Sequence, residues 1–171
     1  MIDRRRAIRL AVAAAALTVV WQLPVSTADA QQSFQRFLPL LIDLPGWTGA
    51  KPDGMAMEMS GNSIVTATRE YRRGDATLNV QVITGPAAQG ALAATASGMK
   101  IETGDMRMSA STVDGLAVAR TFTVHDKSGA ILVALGPSAM FSLSFNGVAE
   151  DEALTLAKHF DWKTIQAAIP K

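Results

Sequence analysis

Ser63-Ile-Val-Thr-Ala-Thr-Arg-Glu-Tyr-Arg-Arg-Gly-Asp-Ala-Thr-Leu-Asn-Val-Gln-Val-Ile-Thr84 decides the fold class. Side chains in it alternate between two sets on either side of a glycine break. Period two belongs to a pleated strand, whose successive side chains point to opposite faces; a helix would need a period of 3.6. Leu78, Val80 and Val82 form one apolar face, and Arg73-Gly74 supplies a two-residue turn, so the stretch predicts a β-hairpin. That turn sets Val65 against Val82 and Ala67 against Val80, so the apolar sets of the two strands coincide.

Upstream, Met55-Ala-Met-Glu-Met59 reads as a further short strand and Ser60-Gly61-Asn62 as its turn. Before it, Phe34, Phe37, Leu38 and Leu41 have helical spacing, with Pro39 set against an unbroken helix. Pro45-Gly46 turns the chain, and Trp47 is expected to plug one edge of the core. Downstream, Pro86 opens a helix to about Lys100, at the first turn where its missing N–H costs nothing. This helix is rich in Ala and Gly, with Leu92 and Met99 as larger anchors. Four more strands follow over 106–113, 116–124, 131–135 and 140–147, the first two joined by the hairpin signal Asp114-Gly115. A last helix carries Glu150, Asp151 and Glu152 in its first turn, where its dipole favours negative charge. Asp161 is placed to cap a short one bearing Trp162, Ile165 and Ile169. The order β-β-β-α-β-β-β-β-α predicts an α+β domain: one antiparallel sheet of about six to seven strands, with two main helices packed on one side.

Leu44-Pro-Gly-Trp47, Glu70-Tyr-Arg-Arg-Gly-Asp-Ala-Thr-Leu-Asn-Val-Gln-Val82 and the closing strand and helix from Phe141 to Ile165 together resemble a group of exported bacterial proteins and lipoproteins of unknown function. The strand order is similar to the Mog1/PsbP-like fold. The resemblance rests on structural residues and brings no catalytic or binding residue with it.

Residues 1–30 read as a cleavable export signal. Arg4, Arg5, Arg6 and Arg9 precede an apolar run from Leu10 to Val20, and Ala28-Asp29-Ala30 offers small residues for cleavage before Gln31. The run is about half the length of a membrane span, so no transmembrane anchor is expected in the mature form. A periplasmic location follows, by Sec export in preference to the twin-arginine route, since Ala7 stands where a large apolar residue is usual. Residues 31–171 then form a single domain of about 140 residues, a length that buries a sufficient core unaided. Of 16 basic and 15 acidic residues, four and two lie in the signal, leaving 12 against 13 and a net charge of −1. This gives no electrostatic case for nucleic acid. The absence of cysteine excludes disulfides, a thiol nucleophile and a lipid-bearing cysteine.

Met55, Met57 and Met59, with Met106 and Met108, form the leading metal candidate. Thioethers suit Cu(I), but three or four must converge on one point; methionine also fills irregular cores. A two-residue Gly61-Asn62 loop puts the first row on the face of Ile64, Thr66 and Thr68, and a three-residue loop puts it in the core. His125 and His159 make no zinc pattern. Gly136-Pro-Ser138-Ala-Met140 lacks the closing glycine and following helix of a nucleophile elbow. Arg73-Gly74-Asp75 sits at a hairpin tip, and Arg69, Arg72 and Arg73 with Glu70 read as a solvated edge. A hydrolase would need a pocket with at least two perturbed groups among Glu70, Asp75, His125, Asp126 and His159. With no acid/base constellation or phosphate loop in view, the sequence favours a periplasmic, non-catalytic domain that binds an envelope protein, a lipid or other envelope component, or a small ligand through its sheet face or helix–sheet crevice, with no cofactor. The alternative is a Met-based Cu(I)-binding or copper-delivery protein.

Overall fold

Alternating runs separated by glycine turns bury their apolar side by pairing into a sheet. The computed structural model describes residues 33–59, 61–95 and 100–170, and the expected export signal lies outside them. The strands are β1 (Thr48–Gly49), β2 (Asp53–Met59), β3 (Asn62–Arg73), β4 (Ala76–Thr84), β5 (Ile101–Glu102), β6 (Met106–Val113), β7 (Leu116–Thr123), β8 (Ser128–Gly136) and β9 (Ala139–Asn146). The helices are α1 (Pro86–Thr95), α2 (Glu150–Lys158) and α3 (Trp162–Ala167). All pairing is antiparallel, in the order β1-β3-β4-β9-β8-β7-β6-β5, with β2 beside β1 on one edge of β3. Two meanders, β2-β3-β4 and β5 to β9, meet at the β4–β9 pair. No described helix is long and apolar enough to cross a membrane.

Among the described residues, nine strands replace the six to seven expected. The additions, β1 and β5, are two residues long and carry no periodicity of their own; each exists only through its partner strand. The hairpin register also differs: Val65 pairs with Thr84 and Ala67 with Val82, because the turn is Gly74-Asp75. The shift is two residues, so every side chain keeps its face. Asp114 and Gly115 have φ of 52° and 84°, the left-handed pair that a tight hairpin requires.

One face, here the inner, carries Val65, Ala67 and Tyr71 of β3, Leu78, Val80 and Val82 of β4, Phe141, Leu143 and Phe145 of β9, and Ile131 and Val133 of β8, all buried. Against it pack Phe37, Leu41, Leu44 and Trp47 from the chain before β1, and Ala153, Leu156, Phe160, Trp162 and Ile165 from α2, α3 and their junction. Before β1 the backbone is a helical turn over 33–35 and a 3₁₀ turn over Leu38–Leu40 containing Pro39, in place of one helix. Asp161 caps α3 as expected, accepting from the N–H groups of Lys163 and Thr164 at 3.1 and 3.0 Å and from the Thr164 hydroxyl at 2.7 Å. Those bonds, the hydroxyl's first, hold its carboxyl below the usual carboxylate range.

The helices do not share one side. Ala88 of α1 is buried, as are Met140 and Ser142 of the opposite face, yet none of the three belongs to the inner core. α1 lies across the outer face over β3, β4, β9, β8 and β7, carrying the chain from the middle of the sheet toward the far edge. Its small residues permit that close approach. Met99 lies outside the described residues.

Candidate functional site

Parity places the methionine rows. Met55 pairs with Thr66 and Met57 with Ile64, so both share the outer face with the row expected from the two-residue loop. Met59 pairs through its backbone with Asn62, and its side chain lies outside the described residues. Met106 and Met108 pair with Thr123 and Thr121, which the register also assigns to the outer face. The rows sit near opposite edges, however. Six strand spacings separate β2 from β6, roughly 30 Å at about 4.8 Å each. One ion cannot be held by both. Met55 and Met57 are 55% and 42% exposed, and no group of three or more His, Asp or Glu able to hold a metal ion occurs among the described residues.

The other candidates are dispersed. His125 follows β7 in an exposed turn, whereas His159 ends α2, its Nδ1 2.9 Å from the Thr155 carbonyl, near the start of β7. Of Glu70, Asp75, His125, Asp126 and His159, no two line the same described pocket. Ser138 lines a cavity of about 240 Å³ with Phe37, Val65 and Ile169, and no histidine or acid lines that cavity to serve as its base.

The arginines are not a uniform solvated edge. Arg69 lies in the inward row of β3, where its Nε donates to the Ala50 carbonyl at 2.7 Å and Nη1 to the Leu41 carbonyl at 2.6 Å. Its Nη2 pairs with Asp43. Arg73 stacks on Trp47, 4.3 Å from the ring centre, and pairs with Glu152 at 2.6 Å. The Leu44-Pro-Gly-Trp47 segment is therefore clamped to β3, and the arginine of the hairpin tip is committed to packing.

Tyr71 completes the clamp by donating to the Ile42 carbonyl at 2.7 Å. Burial pushes its phenol up to about 12, against the opposing pull of the Arg69 guanidinium. The unfolded phenol ionises near 10 and the folded one near 12, so this contribution is complete below pH 10 and lost as pH rises to about 12. The loss amounts to about 2–3 kcal/mol. As Tyr71 is the sole tyrosine, ultraviolet titration of the phenolate reads it directly. Tyr71→Phe should cost about 1 kcal/mol at neutral pH and remove this alkaline loss. Ionisation of the folded protein at pH 10 would contradict the assignment.

Besides the depression beside His159, which Asp114, Lys158 and Lys163 line, two others bear polar groups. On the outer face, one of about 370 Å³ is lined by Glu70, Arg72, Thr77, Asn79, Ser144 and Asn146. The register sets Glu70, Asn79 and Ser144 in one row across three strands and Arg72, Thr77 and Asn146 in the next. The second, about 230 Å³, lies toward the far edge and contains Arg107 and Arg120. Sequence reading missed both. Comparison with protein-family models, curated proteins and solved structures finds no match. The chemistry of these side chains is what bears on function.

Proposed function

We propose that this chain is a non-catalytic binding domain of the bacterial envelope, which holds an envelope protein or a small polar ligand against the outer-face depression. The observation that carries it is the convergence of Glu70, Arg72, Thr77, Asn79, Ser144 and Asn146 on one concavity. Its hydroxyl and amide side chains both donate and accept, Arg72 donates and Glu70 accepts, so the surface can match a polar partner at several points. No histidine lines it to activate the Thr77 or Ser144 hydroxyl. The reading of residues 1–30 as an export signal supports the location, and the resemblance to exported bacterial proteins of unknown function agrees with it.

Photoreactive residues introduced singly at Asn79, Ser144 and the exposed turn residue Asp126 test this in a Gram-negative host. Crosslinks should form at Asn79 and Ser144 and not at Asp126, on protein recovered from the periplasm with a mass that begins at Gln31. Equal yields at all three sites, or none, would count against the depression; an uncleaved cytoplasmic product would count against the location.

A further inference from the structure

The inner face changes character at β7. Strands β3, β4, β9 and β8 give it an apolar floor, whereas β5, β6 and β7 contribute Glu102, Arg107, Ser109 and Arg120. Arg120 stands between Ser109 of β6 and Ile131 of β8, on the same side of β7 as buried Val118 and Phe122. Two arginines thus interrupt inward rows, with opposite outcomes. Arg69 gives its guanidinium to two carbonyls and Asp43. Arg120 is partly buried, its Nε is shielded from solvent, and it has no hydrogen bond or ion pair among the described residues. An N–H shielded from water without an acceptor is costly.

The cavity beside it is lined by Lys100, Glu102, Arg107, Ser109, Arg120 and Glu150. Both carboxylates face Arg107, at 3.6 Å for Glu102 and 3.5 Å for Glu150, and Lys100 is 4.0 Å from Glu102. Three cations against two carboxylates leave one positive charge in excess.

We propose that this crevice binds a small oxyanion, a carboxylate or phosphate group, on the Arg120 guanidinium with Lys100 and Ser109 alongside. The planar fork of arginine matches either group through two parallel N–H bonds. A volume of about 230 Å³, below the roughly 300–1,000 Å³ of sites for larger ligands, fits a single small anion. The site goes beyond the outer-face reading, since it lies on the other face of the sheet and stands or falls separately.

Titrating the purified protein with inorganic phosphate and with succinate, at ionic strength held constant with chloride, tests it. One or both should shift the Arg120 Nε–H resonance saturably and raise Tm by about 4 °C at tenfold excess over Kd. A response to phosphate alone assigns a phosphate group, and one to succinate alone a carboxylate. Arg120→Met should abolish both effects without lowering Tm in chloride, because it keeps the apolar stem beside Val118 and Phe122 and removes a shielded N–H that has no acceptor. Lys100→Gln, at an exposed position, should weaken binding about threefold or more by removing one cation from the cavity. No response of the wild type, an undiminished response of Arg120→Met, or unchanged affinity in Lys100→Gln would each overturn the proposal.

Discussion

Phe160→Ala is expected to destabilise the protein by about 3–5 kcal/mol, the usual cost of emptying a buried aromatic site. Phe160 is 1% exposed and joins the two C-terminal helices to the sheet. Its ring meets Tyr71 of β3 edge-on at 6.2 Å and Phe141 of β9 at 5.3 Å, while Phe141 also meets Trp162 of α3 at 6.2 Å. Helices α2 and α3 have nine and six residues, shorter than the 12–15 or so at which an isolated helix becomes even marginally stable. They are helical because they are packed, and Phe160 is the centre of that packing. Against a typical net stability of about 5–15 kcal/mol, the loss is severe. Thermal unfolding followed by far-ultraviolet circular dichroism should show Tm lowered by roughly 10–15 °C. Phe160→Leu, which keeps most of the volume, should lose far less. A loss under about 1 kcal/mol in the alanine variant would mean that the helices stand outside the cooperative core.

Period-two alternation carried the fold because it records faces, and faces survive errors of register. Placing the β3–β4 turn at Arg73-Gly74 in place of Gly74-Asp75 moves every partner by two residues and no side chain to the wrong side. The same holds where Met59 pairs with Asn62, one position earlier than a Gly61-Asn62 turn implies. Strand order and helix side are different information. Residues 48–49 and 101–102 are too short to show any period, and their strands form only because β3 and β6 offer a free edge. α1 presents Ala87, Ala88, Gly90, Ala91 and Ala93 around its circumference, so no apolar stripe marked which face of the sheet it would cover.

The candidate sites divide along the same line. Parity put each methionine row on one face of its own strand, but the distance between the rows depends on β9 returning to lie beside β4, a contact between distant parts of the chain. Arg120 was legible and passed over. In Leu116-Ala-Val-Ala-Arg-Thr-Phe122 the inward set is Val118, Arg120 and Phe122, and a charge in an apolar row requires a partner. Arg69, after Val65 and Ala67, sends the same signal. Both call for an acceptor, and only the fold shows that Arg69 has one.

Arg69→Met should therefore cost about 3 kcal/mol, from lost charge-assisted bonds and from the carbonyls left without a donor. Arg69 is 11% exposed and Asp43 88% exposed, so the carbonyls of Leu41 and Ala50 carry more of this than the ion pair does. The stem of methionine replaces the packing, which isolates the polar contribution. Arg69→Lys should fare little better, because one ammonium group cannot reach acceptors spread between residues 41 and 50. A second variant approaches from the other side. A Cβ on Gly49 would lie 2.6 Å from the Arg69 guanidinium, so Gly49→Ala should displace the arginine while leaving its charge in place. In each variant the amides of Trp47 and Ala50, bonded to the carbonyls of Leu44 and Glu70 at 3.1 and 2.8 Å, should exchange hydrogen faster, and proteolysis should begin between Leu41 and Ala50. The clamp assigned to Arg69 requires this local loosening. A uniform rise in exchange across the whole sheet would instead make Arg69 a general core residue, and unchanged exchange would remove its structural role altogether.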